Sequence, residues 1–276
     1  MKVFLTGRTG FIAQNIIIRC QTEGYEIGTS SRGDDITEKL TEFKPDIIFH
    51  LAMEGLFPEK MFASNIGLTH QILEYCRVHP VQKLVFFGSS SEYGCKDHPL
   101  TEKDTLEPKT MYEGTKAACT MLCRAYAYTY AIPVAVIRPM SIYGPREKDF
   151  KLMTRIFMNE LKALNHAMHD WTYIDDFVEG TMRVMKYRDT EPFDIVNIGL
   201  GVQRSNREVV EIAEKLMGRT IEYVDSKEQL GHGTDSSMWV CDPSYLKTKY
   251  GFVPSITLEE GMRLQFEWRK NNIESV

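Results

Sequence analysis

Tyr112 and Lys116 stand four residues apart in Tyr112-Glu113-Gly114-Thr115-Lys116, so on a helix the phenol and the ammonium share one face, one above the other. A phenol titrates near pH ~10, and an adjacent ammonium stabilises the phenolate, which lets the group give or take a proton closer to neutrality. A cluster of hydroxyls, Gly88-Ser89-Ser90-Ser91-Glu92-Tyr93-Gly94, follows the apolar run Lys83-Leu84-Val85-Phe86-Phe87. In open α/β sheets the carboxyl ends of strands face the ligand crevice, and catalytic groups gather there. Ser89 is placed to hydrogen-bond a substrate oxygen while Tyr112 moves a proton. Capping of its own backbone explains Ser90 better.

Hydride chemistry at such a centre needs a redox cofactor, and the amino terminus offers a site for one. Gly7-Arg8-Thr9-Gly10-Phe11-Ile12-Ala13 joins an apolar strand to a helix, the position where a dinucleotide pyrophosphate rests on a helix amino terminus. Gly7 permits the tight turn, Gly10 lets the backbone approach the phosphates, and Ala13 keeps helix and strand close. Thr9, Phe11 and Ile12 complete the cofactor-facing turn, and Leu51 and Ala52, ending another apolar run, join them as candidate contacts. An NAD site of this kind carries an acidic residue about twenty residues on, to hold the ribose 2′-hydroxyl. Ser30-Ser31-Arg32 stands there instead. Two hydroxyls and a guanidinium suit a 2′-phosphate, so the expected cofactor is NADP(H), with NAD as the alternative. Asp35 and Ile36 could pack beside the adenine, although a helix cap explains Asp35 equally well.

The elements that must hold these groups in place read as an alternation. Strand Lys2 to Thr6, helix through Ile12, Ile16 and Cys20, strand Tyr25 to Ser30 and helix Ile36 to Phe43 come first. The apolar run Asp46 to Ala52, a helix from Asn65 to Val78 and the strand Lys83 to Gly88 follow. A helix Tyr112 to Tyr128, a strand Pro133 to Arg138, a helix Asp176 to Tyr187 and a strand Asp194 to Ile198 complete the series. This predicts an α/β, Rossmann-like, doubly wound parallel sheet with a smaller C-terminal substrate-binding lobe. Residues 1–143, rejoined by 171–200, form the dinucleotide-binding domain, and 144–170 with 201–276 form the lobe. In the lobe the pattern gives a helix Arg207 to Leu216, a strand Thr220 to Val224, a polar Gly-rich loop at 231–235 and a helix Leu258 to Lys270.

Composition narrows the function classes. The chain has 276 residues, 43% hydrophobic, with 33 basic against 38 acidic residues and a formal charge of −5. It can bury a substantial core, and nothing in its charge seeks nucleic acid or an anionic membrane. The six cysteines lack the paired spacing of a zinc site and read as reduced thiols, and no metal is expected. Met1 leads straight into an apolar strand and no window reaches the length of a membrane span, so a cytoplasmic location is expected.

Together these residues resemble the extended short-chain dehydrogenase/reductases, which include sugar-nucleotide epimerases, dehydratases and 4-keto reductases. The resemblance covers nearly the whole chain. It is carried by Thr6 to Ile12, His50-Leu51-Ala52, Ser89 to Gly94, Tyr112 to Lys116, Arg138-Pro139 with Ile142-Tyr143-Gly144-Pro145, Trp171 to Asp176, Asn197-Ile198-Gly199 and Ser255 to Gly261. It implies a catalytic set of Ser89, Tyr112 and Lys116, a lobe that grips a nucleoside diphosphate sugar, and a homodimer paired through the helix that starts at Tyr112. Departures from the family pattern select among its reactions. Ser90 and Ser91 occupy places where dehydratases carry Asp and Glu. Ser91 and Arg146 stand where the fucose-forming double epimerases carry Cys and His. Reactions needing hydride and proton at one carbon remain, and the Ser89 to Gly94 loop resembles that of GDP-4-keto-6-deoxymannose reductases. The expected activity is therefore 4-keto reduction, the alternative a 4-epimerase holding NAD tightly, and a third reading a non-catalytic dinucleotide-binding protein. Ser90, Ser91, Ser141, Arg146 and Arg207 are the expected substrate contacts, with Arg155 and Arg204 as further phosphate partners. Ser141 stands where many relatives have Asn, His169 where many have Arg, and no arginine occurs between Gly231 and Cys241.

Overall fold

The computed structural model describes residues 1–226 and 238–272; the Gly-rich segment read at 231–235 lies outside them. Alternating strands and helices open the chain: β1 (Lys2–Thr6), α1 (Phe11–Thr22), β2 (Glu26–Ser30), α2 (Ile36–Phe43) and β3 (Ile47–His50). A short helix α3 (Pro58–Met61) runs through a π-turn (Phe62–Gly67) into α4 (Leu68–Val78), then β4 (Lys83–Phe87), a 3₁₀ turn (Ser90–Tyr93) and α5 (Met111–Tyr130). β5 (Val134–Pro139), β6 (Ser141–Tyr143), α6 (Leu152–Phe157), β7 (Ala163–Leu164), β8 (Met168–Tyr173), α7 (Ile174–Lys186) and β9 (Phe193–Ile198) follow. The described chain closes with β10 (Gln203–Ser205), α8 (Asn206–Met217), β11 (Val224–Asp225), α9 (Ser244–Tyr250) and α10 (Leu258–Asn272).

Six strands form one parallel sheet in the order β2-β1-β3-β4-β5-β9. Successive side chains of a strand point to opposite faces, and here both faces are apolar. Val3 and Leu5 join Ile16, Phe49, Val85, Phe177 and Met182 on the side of α1 and α7, while Phe4 joins Leu40, Ile48, Ile72, Phe86 and Cys119 on the side of α2, α4 and α5. Burial on both faces is what a parallel sheet requires. Three helix starts are set by side-chain caps: Asp35 accepts from the amides of Thr37 and Glu38, and capping boxes pair Thr110 with Glu113 and Ser205 with Glu208.

β6, β8 and β10 make a separate three-stranded sheet, and β7 pairs with β11. The three-stranded sheet draws residues from both sides of the boundary expected at 143. Two of its strands, β6 and β10, have three residues each, too few to show a periodicity, and the strand read at 220–224 is found only as β11, which shares Val224 with it. The helix read from Asn65 begins instead as the π-turn. Among the described residues no helix is long and apolar enough to cross a membrane, and no group of three or more His, Cys, Asp or Glu could hold a metal ion.

Candidate active site

Parallel pairing sets Thr6 level with Ser30 of β2 and with His50 of β3, so the carboxyl ends of these strands form one ledge. Thr6 begins the site's hydrogen bonding. Its hydroxyl oxygen accepts from the amides of Leu51 and Ala52 at 3.0 and 2.9 Å and lies 2.9 Å from Nδ1 of His50. His50, fully buried, meets Thr69 at 3.0 Å through Nε2. Burial, with the nearby Lys116 charge, pushes this imidazole down to about 3, so it stays neutral.

Gly7 adopts φ +71°, and a Cβ there would stand 3.0 Å from the Ala52 Cα, so glycine is required twice over. Gly10 donates to the Gly7 carbonyl at 2.9 Å and occupies the N-cap of α1 with no side chain to cap it. The first-turn amides of α1, at Phe11 and Ile12, thus meet no capping side chain, the arrangement that suits an anion such as a pyrophosphate. These residues fit a dinucleotide. Thr9 is exposed, and its carbonyl accepts from Gln14 and Lys148.

Beyond β2 the structure departs from the expected 2′-phosphate pocket. Ser30 is buried, and the Ser31 amide donates to Asp34 at 2.8 Å. Arg32 pairs with Glu54, its Nη2 lying 2.9 Å from the carboxylate. Asp35 caps α2, and Ile36 is buried in the core instead of facing a ligand.

α5 delivers the reactive pair. Ser89 lies close enough to the Tyr112 phenol to favour its ionised form, and Lys116 Nζ donates to the Phe87 carbonyl at 2.6 Å, 5.9 Å from the centre of the Tyr112 ring. Burial pushes Tyr112 up to about 12, with the Ser89 hydroxyl opposing it, and pushes Lys116 down to about 8, with the Glu92 charge opposing that. The chain therefore brings Ser89, Tyr112 and Lys116 together at the ledge that Thr6 and His50 also form. Ser91 is near, its Oγ 2.7 Å from that of Ser89, and Ser90 and Ser91 are equally buried in the 3₁₀ turn; the backbone cap read at Ser90 is made by Ser89, whose Oγ accepts from the Ser91 amide at 3.1 Å.

Two further positions have roles that the sequence did not show. Glu92 is wholly buried: one oxygen accepts from the Ser89 amide at 2.8 Å, the other from Thr120 at 2.9 Å and from Arg138 at 2.9 Å. That carboxylate fixes the serine and is not free to act as acid or base. Asn65, in the π-turn, accepts from the Glu54 amide at 2.7 Å and donates to the Glu54 carbonyl and to Thr115 at 3.0 Å. It ties the loop after β3 to the turn of α5 that carries Tyr112. A lone Asn in an apolar helical stretch was the only available signal, and π-turns recur at functional sites.

Three of the four arginines expected at a substrate diphosphate are engaged elsewhere. Arg207 pairs with Glu211 along α8, Arg204 in β10 reaches Glu208 in the first turn of α8, and Arg155 donates to the Glu160 carbonyl. Each follows the i,i+4 logic of a helix surface or serves a turn. Arg146 lies with its guanidinium over the Trp268 ring, 3.5 Å from Asn15. Ser141 Oγ meets His169 Nδ1 at 3.0 Å, joining the two positions at which the sequence departs from its relatives.

Residues 3–199 match the NAD dependent epimerase/dehydratase family. An uncharacterized UDP-glucose epimerase, YtcB, of Bacillus subtilis (strain 168) is 30% identical over 236 residues, spanning 79% of this chain and 72% of its own. A probable UDP-glucuronate 4-epimerase of Rhizobium meliloti (strain 1021) is 25% identical over 336 residues, 99% of this chain and 98% of that one. Among solved structures, the UDP-glucuronic acid 4-epimerase of Bacillus cereus, in complex with UDP-glucuronic acid and NAD, shares the fold with a TM-score of 0.85 at 22% identity, covering 98% of this chain and 99% of that one.

Proposed function

Because the chain belongs to the NAD dependent epimerase/dehydratase family, we propose that it is an NAD-dependent 4-epimerase of a nucleoside diphosphate sugar, with a UDP-sugar as the first candidate. The observation that carries this reading is the grouping of Ser89 and Tyr112 with Lys116 beneath the phenol ring, at a point where the nearby carboxylate, Glu92, is locked into an ion pair. One movable proton serves inversion at a single carbon, and dehydration asks for more.

Gly7, Thr9, Gly10, Phe11 and Ile12 would hold the pyrophosphate, and Leu51, Ala52, Ser30 and Ser31 the adenosine. Bound NAD supplies a hydride acceptor that can return the hydride to the same carbon. Tyr112 accepts the proton of the sugar 4-hydroxyl as that carbon is oxidised and gives it back after the 4-keto sugar has turned its other face. Ser89 donates to the sugar oxygen throughout, and Lys116, 5.9 Å from the Tyr112 ring, is the cation that would have to offset the burial that raises the phenol. Residues 144–170 and 201–276 serve as the lobe around the sugar nucleotide, and exposed Met121, Tyr128 and Tyr130 on α5 suit the pairing of two copies.

The sequence reading placed NADP(H) and net reduction first. Two observations move the epimerase ahead of it: Arg32 lends its charge to Glu54 instead of standing open to a phosphate, and relatives of this fold carry NAD. Ser30-Ser31-Arg32 still favours reduction as the second reading. Incubation with UDP-glucose and with UDP-glucuronic acid separates the two: the epimerase gives the 4-epimer with no net change in reduced cofactor. Consumption of NADPH in step with a 4-keto sugar nucleotide, and no epimer, would establish the reductase instead.

A further inference from the structure

The end of β2 and the loop after β3 are joined by a single ion pair, Arg32 to Glu54 at 2.9 Å. Strand order makes this contact unusual. β1 lies between β2 and β3, and the three strands end level at Ser30, Thr6 and His50. A bond from Arg32 to Glu54 therefore spans the carboxyl end of β1, where the Gly7 to Gly10 turn opens towards a dinucleotide. Its two halves differ in mobility. The Glu54 side chain is 4% exposed and is held from beneath: its carboxylate accepts from the Leu56 amide at 2.9 Å, and its backbone is bonded twice to Asn65. The Arg32 side chain is 76% exposed and is free to rotate into solvent. Asp34 and Asp35 do not compete for it, since they accept from the amides of Ser31 and of Thr37 and Glu38.

We propose that Arg32 and Glu54 form a clasp across the dinucleotide groove, from the end of β2 to the loop after β3, with Glu54 as the fixed post and Arg32 as the latch, which slows escape of the bound dinucleotide. This rests on the reading of the groove as an NAD site. Its use follows from the chemistry: an enzyme that returns the hydride in every turnover gains by retaining its cofactor, whereas one that consumes reduced cofactor must exchange it. The post also borders the reaction centre, because Gly55, the next residue, packs beside the Tyr112 ring, a Cβ there lying 3.7 Å from it.

The test loads the full chain with radiolabelled NAD and follows its loss on a chase with excess unlabelled NAD, for the native protein, Arg32→Ala, Glu54→Gln and the double variant. Gln keeps an oxygen for the Leu56 amide and removes the charge. The expected result is release about two- to fivefold faster in each single variant, with the double variant no faster than either. Added salt should hasten release from the native protein and leave Glu54→Gln unaffected. Unchanged release in both single variants, with NAD still bound, overturns the clasp while the NAD reading stands. Failure of the native protein to bind NAD, with NADP bound and lost in Arg32→Ala, overturns both and makes Arg32 a phosphate ligand.

Discussion

Replacing Glu92 by Gln should unsettle the reaction centre from below. Arg138 is 1% exposed and Glu92 fully enclosed, so neither charge has water to fall back on. At their 2.9 Å separation the attraction is about 6 kcal/mol for an effective dielectric of ~20. Desolvation of the two ions cancels much of that, so the intact pair adds little net stability. Removing one partner is different. Gln keeps the size of Glu92, so no cavity opens, but Arg138 is left buried without a counter-charge. The Gln amide must also turn its NH₂ towards either the Ser89 amide or the Thr120 and Arg138 donors, and it loses a hydrogen bond whichever way it turns. The expected destabilisation is about 3 to 5 kcal/mol. Turnover should fall too, because the Ser89 amide loses its anchor. Adding Arg138→Met removes the stranded charge, so the double variant should be less unstable than the sum of the singles by about 2 kcal/mol or more. Urea unfolding followed by tryptophan fluorescence reads all four proteins. A loss below about 1 kcal/mol for Glu92→Gln, or strict additivity in the cycle, would refute the claim that this pair is closed to solvent.

Tyr112→Phe deletes the phenol and little else; epimerisation should fall by a factor on the order of 10² to 10⁴ while NAD still binds, and a variant that turns over normally removes Tyr112 from the chemistry. Asn65→Ala leaves the Glu54 amide and carbonyl without partners, for an expected loss of about 2 to 4 kcal/mol in unfolding free energy, and a neutral outcome would mean the loop does not depend on the π-turn. Glu147, buried against Thr154 and Gln265, is pushed by burial from 4.5 up to about 7. Between those values the folded chain holds a proton that the unfolded chain releases, so stability is full below about 4.5 and falls as pH rises towards about 7. The difference should be on the order of 3 kcal/mol, and Glu147→Gln should flatten the profile measured by denaturant titration. An unchanged slope in that variant assigns the pH dependence elsewhere.

What could be read in advance follows from the range of each interaction. The parallel sheet was legible because its strands are continuous apolar runs and its helices repeat at their own period. Tyr112 and Lys116 were legible because four residues are one helical turn. Asn65 was not, since a π-turn has no spacing that marks it before the backbone is seen. Glu92 was visible in its serine cluster as a free carboxylate, and only its partner Arg138, a sheet strand away on β5, shows that it is neutralised. Arg32 is ambiguous for the same reason: guanidinium chemistry suits a phosphate, and only the structure shows its pairing with Glu54 on the far side of β1. The arginines make the rule general. Long cations cover helix surfaces by pairing one turn along, as Arg204 and Arg207 do with Glu208 and Glu211, and sequence does not separate such a cation from one held open for a ligand. Arg146 is the least committed of the four proposed phosphate partners, stacked on Trp268 and only 3.5 Å from Asn15 of the cofactor helix α1. A left-handed backbone at this non-glycine residue, φ +71°, is a conformation that side chains adopt at a cost and that clusters at ligand clamps. Of those four, it is the arginine from which a diphosphate grip is still to be expected.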